Sequence, residues 1–401
     1  MTTENVSVNI SDKENFFPLI KQPVYMIVIY TVAYTVVFVT ALVGNVMVIV
    51  VVIKKKSMHS ITNYFLVNLA VADIFMALFC VPVNLIVNLY NGWQLGSFMC
   101  KLTPYLQGVA VCASVNTLAA IALDSSLVGY IPVNRAGQYG VRDTDPAKSP
   151  VNKIASEITQ GPNFLSLHSG SVYFAICHAL DMKINLKKSR IILLTIWIVA
   201  FGIMVPWLIF YNEILFTTSL QKLYICYELW PSFLIQQIYY MGVIFICCYS
   251  MPLVMIVACY LLIGLKVWRR GNLGEHTSSA DVIQRSKVKV IKMLVVVCLL
   301  FAFSWMPMYG LKFWKMVQPN LEEENGKIFS EILFPVSQWL GSSNCCVNPL
   351  IYCFFSKKFR KGFRDLVMCC DWKVKYVSGS PETRVTTLRC SSRHSVNQHR
   401  L

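Results

Sequence analysis

The sequence predicts an all-α membrane protein: a bundle of seven transmembrane helices followed by an amphipathic helix at the bilayer surface. Three observations carry this. Of 401 residues, 56% are apolar, and the mean hydropathy is +0.54, which overrides the two or three soluble domains that length alone predicts. Seven apolar runs reach spanning length, at about 25–53, 62–90, 97–124, 190–211, 234–265, 288–314 and 329–355. They are continuous rather than alternating, which fits helices and not a barrel. The third observation is where the net charge of +16 sits. Lys54, Lys55 and Lys56 follow the first run, and Lys183, Lys187, Lys188 and Arg190 precede the fourth. Arg269, Arg270, Arg285, Lys287 and Lys289 separate the fifth from the sixth, and Lys357, Lys358, Arg360, Lys361 and Arg364 follow the last. These are alternate loops, so that side is cytoplasmic. The opposite loops carry Glu213, Glu228, Glu322, Glu323 and Glu324, which places the N-terminus outside. Charge laid out in this way marks a topology and not a nucleic-acid partner.

Residues 1–24 are polar and form an extracellular tail. No cleavable signal peptide is evident, so the first span doubles as the insertion signal. Asn5-Val6-Ser7 and Asn9-Ile10-Ser11 are glycosylation sequons on the exterior side. The first span contains Gly44-Asn45, and the second carries Asp73. An aspartate deep in a span costs on the order of 3 kcal/mol and needs polar partners or an ion. Asn45, Ser114 on the third span, and Asn344 and Asn348 on the seventh are the candidates. Pro82 should kink the second span, and Trp93 should brace the outer end of the third.

The third span is a depth ruler. Cys100 opens it, Gln107 lies about 10 Å further in, Ser114 lies two turns deeper, and Asp124 closes the cytoplasmic end. Most of the 15 cysteines fall inside spans, where they pack as small apolar residues. Cys100 and Cys226 are the two that reach the oxidising exterior, and they should bridge. The fourth span holds Trp197 and Pro206. After it, Leu223 to Tyr227 reads as one strand of a hairpin lying over a pocket. The fifth span carries Pro252, which loosens the helix locally, and Tyr260 two turns on.

The sixth span reads Phe301-Ala302-Phe303-Ser304-Trp305-Met306-Pro307, and the seventh ends Asn344-Cys345-Cys346-Val347-Asn348-Pro349-Leu350-Ile351-Tyr352. Phe355, Phe359 and Phe363 then recur every four residues with basic residues opposite, which predicts a helix on the inner leaflet. Cys369 and Cys370 follow as palmitoylation candidates. The tail to residue 401 is polar and rich in serine and threonine, as expected of a disordered segment.

Between Asp124 and Tyr173 lies a polar run, Ser125–Val172, punctuated by Pro132, Gly137, Gly140, Pro146, Pro150 and Pro162. Helix should continue through Leu127 and Val128 until Pro132 stops it. Joined by one arginine, Asp124 and the resumed Tyr173-Phe174-Ala175-Ile176-Cys177 would read Asp-Arg-Tyr followed by Ala-Ile-Cys. With Trp305-x-Pro307 and Asn348-Pro349-x-x-Tyr352, this resembles the rhodopsin-like (class A) G-protein-coupled receptors over about residues 25–370, apart from the run itself.

That resemblance implies a cell-surface receptor with its N-terminus outside, in contact with membrane lipid, that passes a signal to a heterotrimeric G-protein and is then bound by arrestin at its phosphorylated tail. It implies a sodium ion at Asp73, held with Asn45, Ser114, Asn344 and Asn348. It also implies a switch running through Trp305, Pro307, Tyr260 and Tyr352. The place of Gln107 carries an aspartate in amine receptors. Glutamine there is similar to peptide receptors of the neuropeptide FF, RFamide and orexin kind, which implies a secreted peptide ligand. The implied pocket takes in Gln107, Asn84 and Glu228, together with Trp305, Tyr309, Lys312 and Gln338. The exterior acids Glu213, Glu228, Glu322 and Glu331 would attract a cationic peptide, such as one ending in an amidated Arg-aromatic pair; Lys312 would instead suit an anionic group.

Asp124 and Tyr173 flank the place of the coupling arginine, and Ser125 stands there instead. Ser125–Val172 is then either retained non-coding or alternatively spliced sequence in a normal receptor, or a real segment that impairs coupling. Other classes fit less well. Ser342 stands where a light-sensing protein needs its Schiff-base lysine. The intramembrane polar residues form one knot and not a path, and no inverted repeat is visible. No metal cluster or nucleophile–base pair points to an enzyme.

Overall fold

The computed structural model describes residues 18–130, 185–217, 220–271, 278–317 and 328–368. The sequons at Asn5 and Asn9, the coupling candidate Tyr173, most of the run Ser125–Val172, the acids Glu322 to Glu324, and Cys369 and Cys370 lie outside the described residues.

Seven helical spans form the bundle, with the first at Val24–Lys54. The second runs Ile61–Phe79 and resumes as Val81–Leu89, broken where Pro82 cannot donate. Ser60 caps its start by accepting from the Asn63 amide at 3.3 Å. The third, Gly96–Tyr130, is buried on most sides and packs against the second, fourth and fifth. Helix runs on through Leu127 and Val128 to Tyr130. The fourth is Leu186–Ile203 with Val205–Phe210, capped by Asn185 at 2.9 Å from the Lys188 amide.

The fifth span begins at Phe233–Gln237, winds as a π-helix over Ile238–Ser250 and returns to α over Met251–Gly271. The wide turns end next to Pro252, whose missing donor weakens the ladder at that point. The sixth is Ser278–Val317. The seventh starts with a π segment, Phe329–Leu333, and continues as Phe334–Phe355.

Six of the spans are long and apolar enough to cross a bilayer by composition alone. The seventh is more polar because Ser337, Ser342, Asn344 and Asn348 are buried against its neighbours; they face protein and not lipid. After it, Lys357–Met368 lays Phe359 and Phe363 into the bundle's underside, and Asp365 meets Lys55 at 2.7 Å.

Outside, β1 (Tyr211–Thr217) pairs antiparallel with β2 (Lys222–Glu228), with Glu213 opposite Cys226. The hairpin expected around Leu223 to Tyr227 is present, with β2 one residue longer at each end than that stretch. Cys226 is bonded to Cys100, which fastens the hairpin to the head of the third span. The Trp93 amide donates to the Tyr224 carbonyl, so Trp93 braces the hairpin as well as the helix. The tail entering the first span is pinned too: Ile20 bridges Tyr90, and Lys21 Nζ donates to the Ser330 carbonyl at 2.6 Å.

Candidate ligand pocket and switch core

At mid-membrane the polar knot is less closed than the sequence predicts. Asp73 is buried and accepts one hydrogen bond, from Asn348 Nδ2 at 2.8 Å. Asn45 does not reach it. Its amide donates to the Ala41 carbonyl at 2.9 Å and the Cys345 carbonyl at 2.8 Å. The second bond has a physical cause: the helical partner of the Cys345 carbonyl would be the amide of residue 349, and Pro349 has none. Ser114 and Asn344 face Asp73 across a cavity of about 10 Å³ that Trp305 also lines. Asn348 Oδ1 and Asn45 Oδ1 are buried without a hydrogen-bond partner among the described residues. Asp73, Ser114 and Asn344, a carboxylate, a hydroxyl and an amide lining a cavity of this size, suit a small cation.

Trp305 closes the top of that cavity. It is buried, and its ring lies against Gly341, where an added Cβ would stand 3.1 Å from the ring. The absent side chain on the seventh span lets the sixth approach this closely. Tyr309 sits one turn above, 6.5 Å from Trp305 and 4.6 Å from Tyr249 between ring centres. Tyr249 donates to the Ala302 carbonyl at 2.6 Å, tying the fifth span to the sixth within two turns of Pro307. Below, Tyr352 is buried with its ring tilted against Phe359, 5.4 Å between centres, and its hydroxyl has no hydrogen-bond partner among the described residues. The Tyr260 hydroxyl lies by Cys298. Asp124 accepts from Thr62 Oγ1 at 2.9 Å.

Besides Trp305 and Tyr309, the expected pocket residues fall into three groups. Gln107 is half-buried with no hydrogen bond among the described residues. Asn84 and Gln338 are joined in one relay across the first, second and seventh spans. Asn88 donates to the Tyr34 hydroxyl at 2.9 Å and to Gln338 Oε1 at 3.0 Å; Gln338 donates to Asn84 Oδ1 at 3.0 Å; and Asn84 donates to Ser342 Oγ at 3.1 Å. Glu228 and Lys312 share the third group. Glu228 does not stand free as an exterior acid: its carboxylate turns inward and accepts from Tyr211, from Tyr240 at 2.6 Å, from Trp230 Nε1 at 2.8 Å and from Gln236 Nε2 at 3.4 Å. Burial pushes its pKa up, but the Lys312 charge and the Tyr211, Tyr240 and Trp230 donors hold it below the ordinary glutamate range.

Residues 44–136 and 171–352 match the family described as 7 transmembrane receptor (rhodopsin family). The chain belongs to this rhodopsin family of receptors. The stretch left unmatched between the two blocks, 137–170, falls inside Ser125–Val172. Among similar curated proteins, the neuropeptide FF receptor 2 of Mus musculus is 30% identical over 354 residues, covering 86% of this chain and 73% of that one. The substance-P receptor of Homo sapiens is 28% identical over 369 residues, covering 91% and 76%. The chain is therefore a multi-pass membrane receptor of the rhodopsin family, and its disulfide, its broken second span and its Trp305–Gly341 contact are parts of that bundle.

Sequence reasoning missed the Asn88 relay, the Thr62–Asp124 bond and the aromatic shell of Glu228. It also missed Asn68, which donates to Thr117 at 2.8 Å and accepts from Trp197 at 2.8 Å, joining the second, third and fourth spans. One signal was available for this last group: polar residues inside apolar runs need partners on facing helices.

Proposed function

We propose that this receptor sits in the plasma membrane with its N-terminus outside, binds a secreted peptide beneath the β1–β2 hairpin and activates a heterotrimeric G-protein. The observation that carries the reading is the hairpin itself, fastened by Cys100–Cys226 above Gln107, Trp305 and Tyr309. A strand pair above the extracellular end of the bundle suits an extended chain, because strand edges offer main-chain hydrogen bonds. The similar proteins are named for neuropeptide FF and substance P, which supports the same ligand class. The cavity below Trp305 supports a sodium ion held by Asp73, Ser114, Asn344 and Asn348. Binding of the ion with the resting bundle, and of the peptide with the rearranged one, would make the two antagonists. Glycans at Asn5 and Asn9, palmitate at Cys369 and Cys370, and arrestin at the phosphorylated tail complete the proposal.

The test is a calcium readout in cells expressing the full chain with a promiscuous G-protein, challenged with a panel of synthetic neuropeptides. A dose-dependent response to at least one peptide, lost in Gln107→Ala, is expected. A response to amines or lipids alone would overturn the ligand class.

A further inference from the structure

Glu228 closes β2 two residues past the disulfide. A carboxylate offers about four lone-pair sites. In Glu228 they are met from within the protein: Tyr211 and Tyr240 on Oε1, Trp230 and Gln236 on Oε2. An incoming guanidinium, which recognises a carboxylate through two parallel hydrogen bonds, finds no free acceptor there without displacing these donors.

The positive charge that Glu228 needs is also already present. Lys312 acts on it through space, although the one ion pair within direct contact distance among the described residues is Lys55–Asp365. The Lys312 ammonium rests over the Tyr240 ring at 4.7 Å and the Trp207 ring at 5.4 Å. Trp207 is fixed in turn by Gly108, where an added Cβ would come within 2.5 Å of the ring. Ring faces attract a cation but leave its three N–H donors without an oxygen acceptor, and Lys312 has none among the described residues. The group is thus held in place and short of acceptors.

We propose that Lys312 is the built-in counter-ion of Glu228 and the charge discriminator of the outer pocket: it turns away ligands that bring a guanidinium or ammonium to this place and receives ligands that bring a carboxylate. This rests on the peptide-receptor reading above and names the ligand's chemistry: an aspartate, a glutamate or a C-terminal carboxylate docked between β2 and the fifth and sixth spans. Repulsion of the wrong charge supplies half of the selectivity, and new acceptors for the ammonium supply the other half.

Two experiments on the full-length receptor in lipid nanodiscs test it. The first needs no ligand. Melting temperatures are measured for Lys312→Gln, Glu228→Gln and the double variant; the double variant should lose less than the sum of the singles. Additive losses overturn the counter-ion. The second uses two pools of randomised amidated hexapeptides, one with a fixed glutamate and one with a fixed arginine. The glutamate pool should stabilise the wild type at lower concentration than the arginine pool. Lys312→Gln should weaken that effect about tenfold or more, as expected for a charge-assisted hydrogen bond, and Lys312→Arg should keep it. Preference of the wild type for the arginine pool, or an unchanged glutamate response in Lys312→Gln, overturns the discriminator. Silence of both pools on every variant overturns it together with the peptide reading, whereas coupling in the melting cycle alone would leave the counter-ion standing.

Discussion

Asp73, at mid-membrane, accepts a single hydrogen bond from Asn348, whereas Glu228, at the outer mouth, accepts four and has a lysine as counter-charge. Both are acids turned into the protein, and the difference in how they are met divides their roles. A carboxylate whose lone pairs are filled from a strand, an adjoining loop and the fifth span can change partners only by losing several bonds at once. It is an anchor. A carboxylate with one bond among the described residues, beside the unmet Oδ1 of its partner Asn348, can gain partners when the helices shift or an ion enters. It is a hinge of the polar kind. The outer half of the receptor therefore holds its shape, and the middle is where the bundle is free to rearrange.

The sharpest way to break this contrast is Glu228→Ala. It leaves two tyrosine hydroxyls, an indole and Lys312 without their common partner, which should cost about 3–5 kcal/mol, the range for removing one member of a buried charged pair. The expected readout is a large fall in melting temperature and in surface expression. A loss no greater than that of an exposed glutamate would show the anchor to be slack.

Asp73→Asn should do the opposite to stability. A neutral amide is easier to bury than a carboxylate and can keep a bond to Asn348, so the melting temperature should hold or rise. The functional effect should be specific: sodium should lose its influence on agonist affinity. Allosteric couplings of this kind are about 1–3 kcal/mol, so radioligand binding with and without sodium chloride would resolve it. A variant that still responds to sodium would place the ion elsewhere.

How far the sequence could be read follows the same division. The spans, the break at Pro82 and the need of Asp73 for a polar partner were legible because each rests on one strong constraint: apolar length, a missing proline donor, or a charge that lipid does not tolerate. The disulfide was legible from topology. The partner of Asn45 was not, because it depends on which carbonyl Pro349 leaves open on a different helix. The shell of Glu228 was not legible either. Tyr211, Trp230, Gln236 and Tyr240 are close in sequence, yet they converge only because the hairpin folds back over the start of the fifth span. Glu228 reads as a surface acid until that return is seen.

Asp124 extends the comparison to the cytoplasmic end. Like Asp73 it is buried with one partner, the Thr62 hydroxyl, and Ser125 beside it brings no positive charge. Replacing Ser125–Val172 by a single arginine would give this acid a charged neighbour and make the sequence Asp-Arg-Tyr. Agonist-stimulated nucleotide exchange should rise several-fold. Equal and robust activation by both chains would show that the long run leaves coupling intact.

The smallest effect expected is that of pH, and its sign separates the anchor from an ordinary buried acid. Burial alone would raise the pKa of Glu228, but the Lys312 charge and the Tyr211, Tyr240 and Trp230 donors outweigh it and hold it below the usual range. A carboxyl that is more acidic when folded adds stability that is complete above its unfolded pKa of about 4.3 and is lost as pH falls through the lower folded value. The melting temperature should therefore owe nothing to this group's titration between about pH 8 and pH 5, and should begin to fall below about pH 4. Glu228→Gln should flatten that acid limb while lowering the neutral plateau. A melting temperature that instead rises as pH is lowered from about 7 to 5, and no longer does so in the same variant, would mean that burial dominates and the donors do not hold the charge.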